Sequence, residues 1–155
     1  MIILPDASVI LKWVLEKEDE PDYSRVIALQ EALLDEHIEI KLPTLWRYEV
    51  GNVLGLKKPA MAGELMSALL AYEFEEMPLS TEYCLAALAH MHELKGVTFY
   101  DSAYHVLALR TKGLYLTADA AYVKKGRRKG LVGRVGGVMR GFIKHWLGRE
   151  CIGTC

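Results

Sequence analysis

The sequence is poor in cysteine, with only Cys84, Cys151 and Cys155 in 155 residues. An odd count with two cysteines in the last five residues excludes the disulfide framework of a small secreted domain. A zinc site drawn from His145, Cys151 and Cys155 lacks a fourth ligand, and its spacing fits no common zinc motif. Cys84 falls in an Ala/Leu-rich segment, where we expect a buried, small apolar side chain.

Long apolar runs are also absent. No uninterrupted apolar stretch approaches the roughly 20 residues that a membrane-spanning helix needs. The first residues lead directly into a predicted strand, without a basic region or a small-residue cleavage site, so we expect no signal peptide. Apolar residues make up 52% of the chain and charged residues 25%, and its length suits one domain with a sizeable core. These observations predict a globular, cytoplasmic protein that does not contact a membrane.

The net charge of −1 hides an uneven distribution. Residues 1–119 carry 10 Lys and Arg against 19 Asp and Glu, whereas residues 120–155 carry 9 against the single acid Glu150. Eight of the 13 glycines lie in residues 126–155. An acidic body with a basic tail is typical of an interaction segment, often one for nucleic acid, and a solvated basic surface is the alternative. We interpret residues 1–125 as the domain and 126–155 as a basic, Gly-rich segment whose part in completing the fold stays open.

Short apolar strands alternate with amphipathic helices along the chain. The first apolar run is too short for a helix, ends at Asp6, and is followed by Ser8 as a candidate N-cap. Strands are predicted at Ile2–Leu4, Ile38–Leu42, Glu75–Leu79, Leu114–Leu116 and Leu131–Val132. Helices are predicted to begin near Val9, Tyr23, Thr44, Glu64, Glu82, Thr98 and Asp119, with a further one at Val138–Leu147. This order predicts an α/β fold with three layers, α/β/α, and a central, mostly parallel sheet.

Four carboxylates occupy related positions in this pattern. Asp6 and Asp119 directly follow strands, and Glu49 and Asp101 lie in the first turns of helices. Because these places meet at one edge of a parallel sheet, we expect the four side chains to share a pocket. Structural roles are the alternative, since Asp101 can form a capping box with Thr98, strand-end Asp residues are often turn or cap residues, and Glu49 can lie on the surface.

Carboxylates that share a pocket repel one another unless a cation neutralises them. Ligation by oxygen alone favours Mg²⁺ or Mn²⁺ over Zn²⁺. Such a metal activates a water molecule and neutralises the charge that develops on phosphate oxygens. Because the sequence has no paired Ser, Cys or His nucleophile motif, metal-activated water is the plausible nucleophile.

Four segments, taken in order, resemble the motifs of PIN-domain ribonucleases, and most closely those of the VapC-like toxins of toxin–antitoxin pairs. These segments are Pro5–Val9, Tyr48–Leu54, Thr98–Tyr104 and Leu116–Asp119. The resemblance covers roughly residues 1–125 and implies endonucleolytic cleavage of RNA that depends on Mg²⁺ or Mn²⁺. It also implies a homodimer and an antitoxin chain that binds across the active-site groove.

The resemblance implies roles for individual residues. The catalytic, metal-binding acids would be Asp6, Glu49, Asp101 and Asp119. Supporting contacts to these acids or to phosphate would come from Ser8, Asn52 and Thr117. A pocket of acids repels RNA, so the charge distribution predicts that phosphate is bound by the cations that follow Asp119. Those cations are Lys124, Lys125, Arg127, Arg128 and Lys129.

Two features depart from the family pattern. Pro5 stands where an apolar residue is usual and removes a hydrogen-bond donor from a central strand, so Asp6 should lie at the very end of pairing. The basic segment extends past the usual end of such domains. The leading alternative is a receiver-like α/β interaction module that binds Mg²⁺ without catalysis, but Asp6 is followed by Ala7 and Ser8 and not by a second acid. The Asp-x-Asp motif of haloacid dehalogenase phosphatases is absent for the same reason.

Overall fold

A five-stranded parallel sheet forms the centre of the computed structural model, which describes residues 1–15, 22–135 and 137. The strands are β1 (Ile2–Pro5), β2 (Glu39–Pro43), β3 (Glu75–Met77), β4 (Leu114–Thr117) and β5 (Val132–Arg134). Their order across the sheet is β3-β2-β1-β4-β5, and every neighbouring pair is parallel. The predicted three-layer α/β/α architecture is confirmed.

Helices connect the strands. They are α1 (Ala7–Ile10), α2 (Tyr23–Leu34), α3 (Trp46–Lys57), α4 (Ala62–Leu70), α5 (Thr81–Leu94), α6 (Phe99–Thr111) and α7 (Ala120–Gly126). Short 3-10 helices follow α1 at Leu11–Trp13 and α7 at Arg127–Lys129. Helix α6 packs against β1, β2 and β4 and is covered by α5, so all of its residues 102–108 are buried. A helix buried on all sides is typical of the interior of an α/β domain.

The central strand β1 ends at the edge where we expected the carboxylates. Pro5 pairs with Leu116 of β4, and the backbone N–H of Asp6 donates to the Leu116 carbonyl at 2.9 Å. Proline is tolerated here because it is the last residue of the strand and the next N–H completes the pairing. Asp6 therefore lies directly at the end of the ladder, as predicted from Pro5.

Two of the predicted helix caps are wrong. Asp6, and not Ser8, is the N-cap of α1 and accepts from the Val9 N–H at 3.2 Å, because the helix begins immediately after β1. Leu45, and not Thr44, is the N-cap of α3, and within the described residues no side chain caps that helix. The capping box predicted at Thr98 is confirmed.

Two residues of α5 differ in burial from what their neighbours along the chain indicate. His90 is only 6% exposed, because it faces α6 and its ring centroid lies 4.7 Å from that of His105. Cys84 was expected to be buried and is only half-buried. His92, two residues after His90, is exposed, as the different helix faces of the two positions require.

The basic segment contributes to the sheet as far as the structure describes it. Strand β5 ends at Arg134, two residues later than the strand predicted at Leu131–Val132, and pairs in parallel with β4. The division at residue 125 stays a prediction. The helix predicted at Val138–Leu147 and the residues His145, Cys151 and Cys155 lie outside the described residues. Within the described ranges, no helix has the length and apolar character needed to cross a bilayer.

Gly113 joins α6 to β4 at a point of close packing. A Cβ atom there would lie 2.5 Å from Leu4 Cδ1 and 2.8 Å from Ile2 Cγ2. We expect Gly113→Ala to lower the free energy of unfolding by about 1–3 kcal/mol through overpacking. Gly55→Ala is the matched control, because no atom lies within 4 Å of its Cβ position in α3. It should raise stability by about 0.5–1 kcal/mol, and urea unfolding that ranks the two variants the other way would contradict this packing argument.

Candidate active site

Asp6 uses its two carboxylate oxygens for different purposes. Oδ1 accepts from Ser8 Oγ at 2.5 Å and from the Val9 N–H at 3.2 Å, which fixes the side chain as the cap of α1. Oδ2 lies 3.5 Å from the hydroxyl of Tyr115 in β4. Burial raises the pKa of Asp6, and the hydrogen bonds from Ser8, Thr117 and Val9 oppose that effect. The fold thus holds a carboxylate with one oxygen aimed at β4.

Asp101 divides its oxygens in the same way. Oδ2 accepts from the Thr98 hydroxyl at 2.6 Å and the Thr98 N–H at 3.4 Å, and Thr98 Oγ1 in return accepts from the Asp101 N–H at 3.1 Å. Oδ1 lies 3.2 Å from the Tyr115 hydroxyl. Asp6 therefore caps α1 with one oxygen, Asp101 completes the capping box of α6 with one oxygen, and each faces Tyr115 with the other.

The Tyr115 hydroxyl is the point where these two carboxylates meet. It has one proton, so it can donate to only one carboxylate at a time. Tyr115 is fully buried, and burial together with the charges of Asp6 and Asp101 raises its pKa well above the usual value for a tyrosine. Two carboxylate oxygens therefore share one neutral donor.

Glu49, in the first turn of α3, belongs to the same pocket. Its Oε2 accepts from the Tyr104 hydroxyl at 2.9 Å. Partial burial raises the pKa of Glu49 to about 7; the charges of Asp6 and Asp101 act in the same direction, and the bond from Tyr104 opposes them. Both aspartates therefore act on Glu49 electrostatically, and the structure brings these three acids together.

Asp119 lies at the border of this pocket. It is exposed and caps α7, where its Oδ1 accepts from the N–H groups of Ala121 at 2.7 Å and Tyr122 at 3.0 Å. Asp119 and Asp101 line one cleft of about 110 Å³. The buried Thr117 hydroxyl accepts from the Asp119 N–H at 3.0 Å and also bonds the Asp6 carboxylate. Asp119 is thus connected to the pocket through Asp101 and Thr117.

The remaining residues predicted for the site differ in their placement. Ser8 Oγ accepts from the Ala118 N–H at 3.3 Å and so ties the end of β4 to Asp6. Thr117 connects Asp6 with Asp119, as described above. Asn52 is exposed on α3, three residues after Glu49, and makes no side-chain hydrogen bond with the described part of the chain.

The five cations after Asp119 do not form one group. Lys125 Nζ donates to the carbonyls of Gly96 at 2.8 Å and Lys95 at 3.4 Å, and Lys129 is paired with Glu93. By contrast, Lys124 and Arg127 line a cavity beside α7, and Arg128 is exposed. Lys125 and Lys129 thus have partners within the fold.

Sequence reasoning missed the tyrosines that hold the acids. The spacing carries a usable signal, because Tyr104 follows Asp101 by three residues on α6 and so shares its helix face. Tyr115 and Thr117 are two residues apart in β4 and therefore point to the same side of the sheet. Nothing in the pattern marks His105, whose nitrogens lie 2.9 Å from the Tyr122 hydroxyl and 2.6 Å from the Gly130 carbonyl.

The chemistry of these donors fits Mg²⁺ or Mn²⁺. All the candidate ligands are carboxylates. The charge of Asp101 raises the pKa of Asp6, and the charges of Asp6 and Asp101 raise the pKa of Glu49, and a bound dication would relieve this repulsion. Within residues 1–15, 22–135 and 137, no three His, Cys, Asp or Glu side chains converge into a ready metal site. The fit therefore rests on the chemistry of the donors and on the shared pocket, and not on a completed coordination shell.

Tyr104 offers a direct test of the Glu49 environment. Tyr104→Phe removes the hydrogen bond that lowers the pKa of Glu49, so we expect the pKa of Glu49 to rise above 7. A bond worth about 1 kcal/mol corresponds to a shift of less than about one pH unit. Tyr83→Phe is the matched control, since it removes a buried tyrosine bond to the Ala103 carbonyl at 2.7 Å. The pH dependence of metal binding measures the shift, and an equal shift in both variants would contradict the assignment.

Comparison with known proteins identifies the fold. The crystal structure of PAE2754 from Pyrobaculum aerophilum is similar with a TM-score of 0.63 and 20% identity, covering 90% of this chain and 87% of that one. The crystal structure of VapBC2 from Rickettsia felis, bound to a DNA fragment from their promoter, is similar with a TM-score of 0.66 and 12% identity. The match covers 86% of this chain and 98% of that one. At such identities the likeness shows the fold alone, and no curated protein matches the sequence significantly. The PIN domain family matches residues 3–127, most of the sequence, and the chain belongs to that family.

Proposed function

We propose that the protein is a Mg²⁺- or Mn²⁺-dependent endoribonuclease and the toxin of a toxin–antitoxin pair. PIN domains are generally nucleases, so family membership supports hydrolysis of nucleic acid. The observation that carries the proposal is the meeting of Asp6 and Asp101 at the Tyr115 hydroxyl, with Glu49 beside them. Metal-assisted phosphodiester hydrolysis needs such a cluster of oxygen donors.

The proposed reaction is attack of water on a phosphodiester. A new bond forms between the water oxygen and phosphorus, the bond to the leaving ribose oxygen breaks, and that oxygen takes up a proton. A metal held by Asp6 and Asp101, with Glu49 and Asp119 as further ligands, would activate the water and neutralise phosphate charge. Because a 1 Å misplacement of such a group can cost about 100-fold in rate, the positioning of these carboxylates by the fold matters directly.

The chain's own residues keep the acids in place. Ser8 and Thr117 hold the Asp6 carboxylate, Thr98 holds that of Asp101, and Tyr104 holds that of Glu49. These partners are fixed by strand ends and helix starts, so the carboxylates are oriented before substrate arrives. Loss of such a contact to a metal ligand typically lowers metal affinity or activity by about 10–100-fold.

An antitoxin partner, a homodimer and a cytoplasmic location complete the proposal. The likeness in fold to VapBC2, a toxin–antitoxin complex bound to promoter DNA, supports the antitoxin partner. A small open reading frame immediately upstream, encoding a DNA-binding protein, would support the assignment as a toxin. Membership of the PIN domain family displaces the receiver-like interaction module as the alternative.

The test is cleavage of RNA by the purified protein. We expect cleavage with Mg²⁺ or Mn²⁺ and none with EDTA, and the products should end at internal positions of the substrate. A heat-inactivated sample and a preparation of Asp6→Asn control for contaminating ribonucleases. Metal-independent cleavage, or none with either metal over a broad panel of RNAs, would overturn the proposed activity.

A further inference from the structure

A cavity of about 370 Å³ lies beside the candidate site, between α7 and the end of β5. Three basic residues, Lys124, Arg127 and Arg134, line it together with Ala120 and Val123. No acidic residue is among the described residues that line it. We call this the basic cavity.

Helix periodicity and sheet register together build the basic cavity. Ala120, Val123, Lys124 and Arg127 recur at spacings of three and four, so they share one face of α7 and of the short 3-10 helix after it. Arg134 ends β5 and pairs in register with Thr117 of β4. In a parallel sheet these strand ends lie on one edge, so the cavity opens at the same edge as the acids.

The basic cavity adjoins the pocket that holds the carboxylates, at the start of α7. Ala120 is both a lining residue of the cavity and the residue directly after Asp119, which caps the same helix. A chain that passes along α7 would therefore lead from the cations to Asp119. Lys125, on another face of α7, lines the cleft on the opposite side, with Asp101 and Asp119, and donates to backbone carbonyls there.

Among the described residues, one carboxylate lies close to the cations of the basic cavity. The Asp22 carboxylate lies 3.8 Å from Arg134 Nη2, but its other oxygen is paired with Arg25 at 2.5 Å. Lys124 and Arg127 are exposed. Three cations with one shared carboxylate among the described residues attract a polyanion. Ala120 and Val123 add apolar surface to the lining of the cavity.

We propose that the basic cavity binds the sugar–phosphate backbone of the RNA adjacent to the scissile phosphate, with Lys124, Arg127 and Arg134 contacting phosphates. This inference rests on the proposed ribonuclease function. Arginine presents a planar, bidentate donor to phosphate and lysine a point charge, so the contacts hold the strand without reading its bases. Lys125 and Lys129, which are bonded within the fold, have no part in this path.

The first test is the salt dependence of RNA binding. The triple variant Lys124→Gln, Arg127→Gln, Arg134→Gln is compared with a charge-matched control, Lys57→Gln, Lys58→Gln, Lys112→Gln, all in the Asp6→Asn background so that the RNA stays intact. The probe is a short single-stranded RNA of mixed sequence. The plot of log affinity against log salt should become shallower by about 2 in the triple variant, at about 0.7 per phosphate contact, and keep its slope in the control.

The second test locates the contact on the RNA. Replacing single phosphates by uncharged methylphosphonates should weaken binding at positions on one side of the cleavage site, and the triple variant should not show this penalty. Arg127→Gln alone, at an exposed position, should lower the slope by about 0.7 and serves if the triple variant does not fold. Urea unfolding of both triple variants establishes that they are folded.

The possible failures are distinguishable. If the wild-type protein does not cleave RNA with either metal, the proposed function fails. If it cleaves RNA but the triple variant keeps the wild-type slope and methylphosphonate penalty, the cavity inference alone is overturned. Binding of a poly-glutamate peptide that is lost in the triple variant, with RNA binding unchanged, would also overturn it in favour of an acidic protein partner.

Discussion

Replacing Asp6 or Asp101 with Asn is expected to abolish metal-dependent RNA cleavage and leave the fold intact. Losing an outer contact to a metal ligand typically costs about 10–100-fold, so losing a ligand should cost at least about 100-fold in rate. The helix starts survive the change, because Asn keeps an acceptor oxygen at both positions and, at the N-cap position of Asp6, is as good a cap as Asp. At Asp6 that oxygen can still accept from Val9 and Ser8.

The same substitutions should stabilise the protein when no metal is present. Burial raises the pKa of Asp6 and the charge of Asp101 adds to that effect, so the ionised pair is unfavourable in the metal-free fold. Removing one charge relieves this repulsion. Urea unfolding in EDTA should give a higher midpoint for both variants, while Asp35→Asn, an exposed position at the end of α2, should stay close to wild type.

Metal binding should stabilise the wild-type protein more than the two variants. Wild-type protein gains stability by mass action, about 2.7 kcal/mol when the metal concentration is 100 times its dissociation constant, and the two variants should gain less. Wild-type cleavage rates in either variant, or equal stabilisation of all proteins by Mg²⁺, would remove Asp6 and Asp101 from the proposed metal site.

Metal affinity should rise steeply with pH in the wild-type protein and only weakly in Glu49→Gln. Because the pKa of Glu49 is raised to about 7 in the metal-free protein, metal binding below that pH must displace a proton. One displaced proton corresponds to an increase of up to about tenfold per pH unit, which levels off above about pH 7. Titrations with Mn²⁺ across this range measure the slope, and an equal slope in Glu49→Gln would contradict the proposed role.

Glu49 should also shape the stability of the metal-free protein. A raised pKa in the folded state means that the native protein binds the proton more tightly than the unfolded chain does. This contribution is complete below the unfolded pKa of 4.5 and is lost as the pH rises through about 7. It is on the order of 1–2 kcal/mol once partial exposure is discounted. The pKa of Asp6 is also raised. The difference in free energy of unfolding between the wild type and Glu49→Gln, measured by urea unfolding across this pH range, therefore isolates the contribution of Glu49.

The sequence predicted best the features that depend on neighbours along the chain. The strand before Asp6, the capping box at Thr98 and Asp101, and the strand before Asp119 all follow from a few adjacent residues, and each is present. The choice between Asp6 and Ser8 as the cap of α1 was wrong, because both residues can cap and only the exact end of β1 decides between them.

Features that depend on packing between elements were not predictable from one sequence. His90 is buried because α5 places it against His105 of α6, and no local pattern encodes that contact. The division of the basic residues has the same origin. Lys125 and Lys129 meet carbonyls and Glu93 near the end of α5, whereas Arg134 joins the cavity only through the pairing of β5.

The aspartates have a structural role at helix starts and a proposed role in metal binding, and these two roles separate folding from activation. Asp6, Asp101 and Asp119 each bond backbone or hydroxyl groups at a helix start, and these bonds need no metal. The backbone therefore assembles the pocket as the chain folds. Under the proposed function, metal loading would then be a later, reversible step. Such a nuclease could be stored complete and inactive, and whatever controlled access to the pocket would set the timing of RNA cleavage without refolding the protein.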